Sequence, residues 1–256
     1  MRHVLNFLDQ PLLVLAVTLP VFWIAARLGG WLHTRERDHQ KEGEEDLRFV
    51  LGGALTLLGL IIGFTFAMAI SRYEQRKNYE EQEGNAIGTE YVRADLLPAE
   101  VAARVRALMR EYLDQRIAFY TTRDERQLGP IDSRTVELQS EMWSAVATHA
   151  SSNPTPVAAL VAAGMNDVLN SQGYTQAAWW NRIPLGAWGL LISMSTFCNL
   201  LVGFGAQGRK PASLVILPVV LAITLFFVAD MESPRGGVIL VKPQNLRAVA
   251  DSVRPR

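Results

Sequence analysis

Two stretches of this chain carry no acidic or basic side chain: Phe49 to Ile70, 22 residues, and Ile183 to Ala206, 24 residues. As helices rising about 1.5 Å per residue, both are long enough to cross the hydrocarbon of a bilayer, roughly 30 Å thick. No other feature constrains the fold as much, and both runs are read as transmembrane helices. Ala212 to Ala229 offers a third run of 18 residues. A fourth, from Pro11 to Ala26, reaches full length only by including Arg27 and Leu28 to Leu32, which an arginine near a helix end allows by snorkelling. Ile24-Ala25-Ala26 loosely resembles a signal-peptide cleavage site. The leader, however, has only Arg2, carries Asp9, and the apolar run continues past Arg27, so the block is read as a span. The expected spans are residues 11–32, 49–70, 183–206 and 212–230.

Four spans place both termini and the long segment 71–182 on one side of the membrane. Near the span ends that side holds Arg2, Arg72, Arg76, Lys77, Arg182, Arg235, Lys242 and Arg247, against Arg35, Arg37, Lys41, Arg48, Arg209 and Lys210 on the other. The bias favours cytoplasmic termini. Segment 71–182 reads as a helical domain. From Pro98, suited to a first helical turn, Val101, Val105, Leu108, Tyr112, Leu113 and Ile117 recur at helical spacing. A second helix is expected over Ser133 to His149, and a third from Thr155-Pro156 toward Asn170. Gly129-Pro130 and Ser151-Ser152-Asn153-Pro154 are expected as turns between them. Trp179 and Trp180, followed by Arg182, mark a membrane interface, and the charged stretch Arg35 to Arg48 reads as a solvated turn. Residues 231–256, with Pro234, Gly236, Gly237 and Pro243, read as an extended tail.

Catalytic chemistry finds no support. There is no Gly-rich phosphate loop, no HExxH and no nucleophile elbow. His3, His33, His39 and His149 are scattered, and the His33 to His39 loop with Glu36 and Asp38 reads as solvated. The single cysteine, Cys198, lies within a span and reads as a packing residue. Lysine plus arginine balance aspartate plus glutamate at 25 each, without the basic clustering that nucleic acid requires. No enzyme activity, cofactor or metal is expected.

The second span holds Gly52, Gly53, Gly59 and Gly63; small residues four apart, as at Gly59 and Gly63, let membrane helices approach closely. Steps of three and four align Thr56, Leu60, Gly63, Phe64 and Ala67 on one face. Such a row is either a packing surface or the lining of a narrow apolar pore. Beyond Ile70 the helix would continue with Arg72, Glu74, Arg76, Lys77, Glu80, Glu81 and Glu83, either as a charged vestibule or as a solvated helix with pairs such as Arg76 and Glu80.

The run Leu60-Ile61-Ile62-Gly63-Phe64-Thr65-Phe66, followed by Ile70-Ser71-Arg72-Tyr73, resembles the pore helix of the bestrophin ion channels. Asp230-Met231-Glu232-Ser233-Pro234-Arg235-Gly236 is similar to the acidic turn after the last bestrophin membrane helix, with Arg235 where the family usually has an aromatic. Asn85 to Tyr91 and Arg93 to Pro98 resemble bacterial membrane proteins with a bestrophin-like domain, and that resemblance covers nearly the whole chain. It implies an all-α protein of the bacterial inner membrane, with a helical cytoplasmic domain between the second and third spans. It implies a homopentamer, with inorganic ions passing rings of Thr56, Leu60, Gly63, Phe64 and Ala67. Apolar rings of this kind gate by dewetting, and the electropositive phenyl edge of Phe64 suits an anion. Arg72 and Arg76 would add positive potential at the cytoplasmic mouth, and the glutamates beyond them the opposite sign, so selectivity stays open. Asp230 and Glu232 could hold a cation such as calcium, although two carboxylates fall short of its six to eight oxygens, and capping or ion pairing, with Arg235 as one partner, is the competing role. The alternative function is a non-conducting scaffold or sensor whose cytoplasmic helices bind a partner.

Overall fold

The computed structural model describes residues 8–35, 43–205 and 213–254. The described residues are helical and contain no strand: α1 Pro11–Arg35, α2 Gly43–Arg93, a 3-10 turn Ala94–Leu96, α3 Ala99–Thr121, α4 Glu125–Ser152, α5 Pro156–Trp180, α6 Leu185–Phe204, α7 Ser213–Glu232 and α8 Gln244–Val253. Four helical stretches are long and apolar enough to cross a membrane; they contain the expected runs 11–32 and 49–70 and overlap 183–206 and 212–230, whose residues 206 and 212 lie outside the described residues. The expected turn over residues 35–48 is helical from Gly43 onward; residues 36–42, with His39, and the expected loop 207–211 lie outside the described residues, as do Arg2 and His3.

Two compact units divide the chain, 1–73 with 182–240, and 74–181 with 241–256. In the first, α1 packs against α6 and α7 around Val14, Phe22, Leu191, Cys198, Leu225 and Val228, with Leu58 and Ala69 from α2. Cys198 is a free, buried packing residue. The α1–α6 crossing is backbone to backbone. A Cβ on Gly203 would lie 1.9 Å from the Ala26 carbonyl oxygen, and one on Gly29 would lie 1.9 Å from that of Leu200. Close approach through glycine is the means by which membrane helices gain packing contact where no hydrophobic effect drives them together.

In the second unit the later turns of α2 join α3, α4, α5 and α8 around Ile87, Val105, Met109, Leu138, Met142, Val161, Met165 and Leu246. Pro98 caps α3, whose buried face runs through Val105, Met109, Tyr112 and Leu113. The Thr155 hydroxyl accepts from the Ala158 amide, capping α5 with Pro156 at its first position. Three expectations differ. α4 begins at Glu125 behind the Asp124 cap and carries Gly129-Pro130 within it, running on without the backbone bond that Pro130 cannot donate. α5 runs on to Trp180, where Trp179 is buried against Phe119 and Tyr120 while Trp180 is 73% exposed. The tail is not extended throughout, because residues 244–253 form α8, which buries Leu246 and Ala250.

Candidate functional site

α2 has two unlike faces. Advancing 100° per residue, Thr56, Leu60, Gly63, Phe64 and Ala67 form one stripe, and all five are exposed in the single chain, Leu60 at 53% and Phe64 at 65%. Leu58, Thr65 and Ala69 on the opposite face are buried. The Thr56 hydroxyl donates to its own helix at the Gly52 carbonyl (2.9 Å), so it adds no polar group that needs a partner elsewhere. A Cβ added at Gly52, Gly53, Gly59 or Gly63 would meet nothing within 4 Å. The close-packing residues of this helix therefore have no neighbour among the described residues.

Past Tyr73 the two faces persist with different chemistry. Glu74, Gln75, Asn78, Glu81, Gln82 and Asn85 are exposed on the register of the stripe. Lys77 falls on the flank of Gly84 and Gly88, which pack against Asn245 and Val249 of α8. The buried row is Arg76, Glu80, Glu83, Ile87, Glu90 and Ala94, a helical periodicity made largely of charges. Arg76 is 1% exposed, so it lies in the interior and not at an open mouth, because the register turns it away from the stripe. Arg72 is paired with Glu232 at 3.1 Å.

Each buried carboxylate has its own donors. Glu80 accepts from the Asn245 and Leu246 amides (2.9 and 3.0 Å) and from Asn245 Nδ2 (2.7 Å), capping the N-terminus of α8. Glu83 pairs with Arg116 and accepts from the hydroxyls of Thr175 (2.9 Å) and Tyr120 (3.3 Å). Burial pushes the Tyr112 and Tyr120 phenols above their ordinary range, and the Glu83 charge adds to it. Glu90 is fully buried with Arg93 at 3.8 Å, and burial raises its carboxyl to about 7.

The acidic last turn of α7 and the residues after it form a clamp. Asp230 is buried, and its two oxygens accept from the Val238 (2.6 Å) and Ile239 (2.9 Å) amides. Glu232 accepts from the Ile183 amide (2.6 Å) and from Arg72, while Arg182 donates to the Glu232 carbonyl (3.0 Å) and pairs with Asp9. Ser233 donates to the Asp9 carbonyl (2.8 Å), and Gly236 packs against that same carbonyl. The suggested cation site at Asp230 and Glu232 is thus committed to backbone amides and Arg72. Among the described residues no group of three His, Cys, Asp or Glu could hold a metal ion. Sequence reasoning did not foresee the buried roles of Asp9, Arg182, Glu80, Glu83 and Arg116, whose partners are distant in the chain, nor the burial of Glu90.

Four helices of membrane length, two of them crossing through glycine contacts, define an all-helical protein of the membrane-spanning type. A family model for the Bestrophin-like domain matches residues 13–246, and the chain belongs to that family. A crystal structure of a bacterial bestrophin homologue from Klebsiella pneumoniae superposes with a TM-score of 0.65 at 14% identity, covering 94% of this chain and 95% of that one. A point variant of that homologue gives 0.64 at 12% identity, with coverage of 92% and 94%. A variant of a protein described only as a membrane protein gives 0.66 at 12% identity, with the same coverage. At these identities the likeness is one of fold. No functionally curated protein matches the chain.

Proposed function

We propose that this chain is one subunit of a homo-oligomeric ion channel of the bacterial inner membrane, with cytoplasmic termini and one α2 helix per subunit around the pore. The carrying observation is the stripe Thr56, Leu60, Gly63, Phe64 and Ala67, exposed in the single chain beside glycines that have no neighbour. A helix facing lipid alone has no use for glycines at close-packing spacing, whereas copies meeting around an axis do. Membership of the bestrophin-like family supports a closed ring, a pentamer by resemblance to bestrophins. Leu60 and Phe64 then form the narrow apolar rings that control conduction by wetting.

The register also supports a reading of the permeant ion. An anion reading leans on Arg72 and Arg76 at the mouth, yet Arg76 is buried and Arg72 is bound to Glu232. On the register of the stripe past Tyr73 the charged residues are Glu74 and Glu81, with the exposed Lys77 on its flank. Rings of fixed negative charge concentrate cations and repel anions. We therefore favour cations over the anions implied by the phenyl edge of Phe64.

Planar-bilayer recording under an asymmetric KCl gradient tests both parts. The reading expects discrete currents altered by Phe64→Ala, a reversal potential of cation sign, and a shift toward zero in Glu74→Gln/Glu81→Gln. Currents indifferent to Phe64→Ala would remove α2 from the pore, and an anion-sign potential would reverse the selectivity alone.

A further inference from the structure

Glu90 lies in the Asn85 to Tyr91 motif, and the proposed pore leaves it without a role. Its side chain is fully buried on the α2 face that meets α5. Neither carboxyl oxygen accepts a hydrogen bond from a described residue, and Arg93 stands at 3.8 Å, an ion pair longer than a hydrogen bond. The other acids of the same buried row, Glu80 and Glu83, are each given three or more donors. α5 meets Glu90 with a glycine. A Cβ on Gly164 would lie 1.9 Å from Glu90 Oε2 and 2.3 Å from Arg93 Nη1, so the helix backbone itself closes over the carboxyl.

The charged groups that face it cannot replace a hydration shell. On its own helix Arg93 is its one close cation, and on α5 the exposed Asp167 repels the ionised form. The neighbouring basic residues of α3 are engaged elsewhere: Arg106 pairs with Asp95 of the 3-10 turn, and Arg110 donates to the Tyr91 hydroxyl (3.0 Å). A buried carboxylate without hydrogen bonds is costly, whereas the neutral acid tolerates this site far better.

We infer that Glu90 is the proton-binding group of a pH-responsive contact between α2 and α5, tight when the carboxyl is protonated and loosened when it ionises. The inference stands apart from conduction and is read without it. With the carboxyl raised to about 7 in the closed contact and near 4.5 when hydrated, opening increases between those values and levels off above 7. One pH unit corresponds to a tenfold change in an equilibrium, so opening rises about tenfold per unit within that window.

The test is hydrogen–deuterium exchange of the purified full chain, corrected for the intrinsic pH dependence of exchange, read on peptides from residues 86–93 and 156–168. Wild type is expected to lose protection about tenfold per unit from about pH 5 and to level off near 7, while Glu90→Gln stays protected throughout. Asp167→Asn alters an exposed side chain and keeps the fold; by removing a repulsion it moves the levelling point to lower pH, which a purely structural role for Glu90 would not do. A flat wild-type profile, a pH dependence that survives in Glu90→Gln, or an unmoved point in Asp167→Asn each overturns the inference.

Discussion

The pairing of Glu83 with Arg116 gives a sharply posed stability prediction. Both side chains have zero exposure, and the guanidinium lies over the Phe119 ring at 4.6 Å. Replacing Arg116 by Met leaves the buried Glu83 carboxyl with only the hydroxyls of Thr175 and Tyr120 as partners, and removing one partner of a buried pair costs about 3–5 kcal/mol. Glu83→Gln strands the guanidinium instead and is expected to cost as much. In the double variant no charge remains buried, and the glutamine oxygen still accepts from both hydroxyls. The double variant should therefore be more stable than either single one, with a coupling energy above about 3 kcal/mol where independent sites would couple by roughly 0.5 or less. At about 2–4 °C per kcal/mol for a chain of this size, each single variant loses roughly 6–20 °C, readable by thermal denaturation in detergent. Additive losses in the double variant would refute the reasoning, since they would mean that neither charge depends on the other.

Two further perturbations test the joints of the two units. Gly203→Ala drives a Cβ to 1.9 Å from the Ala26 carbonyl oxygen, so α1 and α6 must part by more than an ångström at a cost of about 1–3 kcal/mol, and the melting temperature should fall. Gly189→Ala, whose Cβ meets nothing within 4 Å, is the control, and equal behaviour of the two would dismiss the close crossing. Glu80→Ala removes the acceptor of the Asn245 and Leu246 amides, a loss of about 0.5–2 kcal/mol for a helix cap. It should speed deuterium uptake at the start of α8 and leave α4 unchanged; uptake unchanged in α8 would show that its apolar face alone holds it.

The spans were legible because a bilayer demands an uninterrupted apolar run, and length alone identifies one. The starts of α3 and α5 were legible for a different reason: Pro98 and Thr155-Pro156 are local signals that act within one turn. Gly129-Pro130 misled because turn chemistry is read without regard to position. The helix begun at the Asp124 cap continues through Pro130 at the loss of one backbone bond, which no local signal in the sequence separates from a turn. α8 escaped because its ten residues gain their cap from Glu80, 165 positions away, and no local pattern announces such a donor–acceptor pair. The stripe on α2 was found by periodicity, yet the row behind it was not. Arg76, Glu80, Glu83 and Glu90 recur at core spacing, but charges at core spacing read as solvent until their partners on other helices are known.

That sorting by register bears on how one helix can serve several ends. Glu74, Glu80, Glu81, Glu83 and Glu90 are the same side chain on the same helix, separated only by rotation about its axis. Those at one angle, Glu74 and Glu81, stay exposed to water, on the face where a fixed field would act on passing ions. Those at the other angle lose water, and their chemistry depends on what replaces it: peptide amides for Glu80, a guanidinium and two hydroxyls for Glu83. Either replacement locks a neighbouring element in place. Glu90 receives only a distant arginine, so burial dominates and its proton is held to about neutral pH. Removing donors from one carboxylate, without adding any residue type, is enough to turn an anchor into a group that changes state within the physiological range.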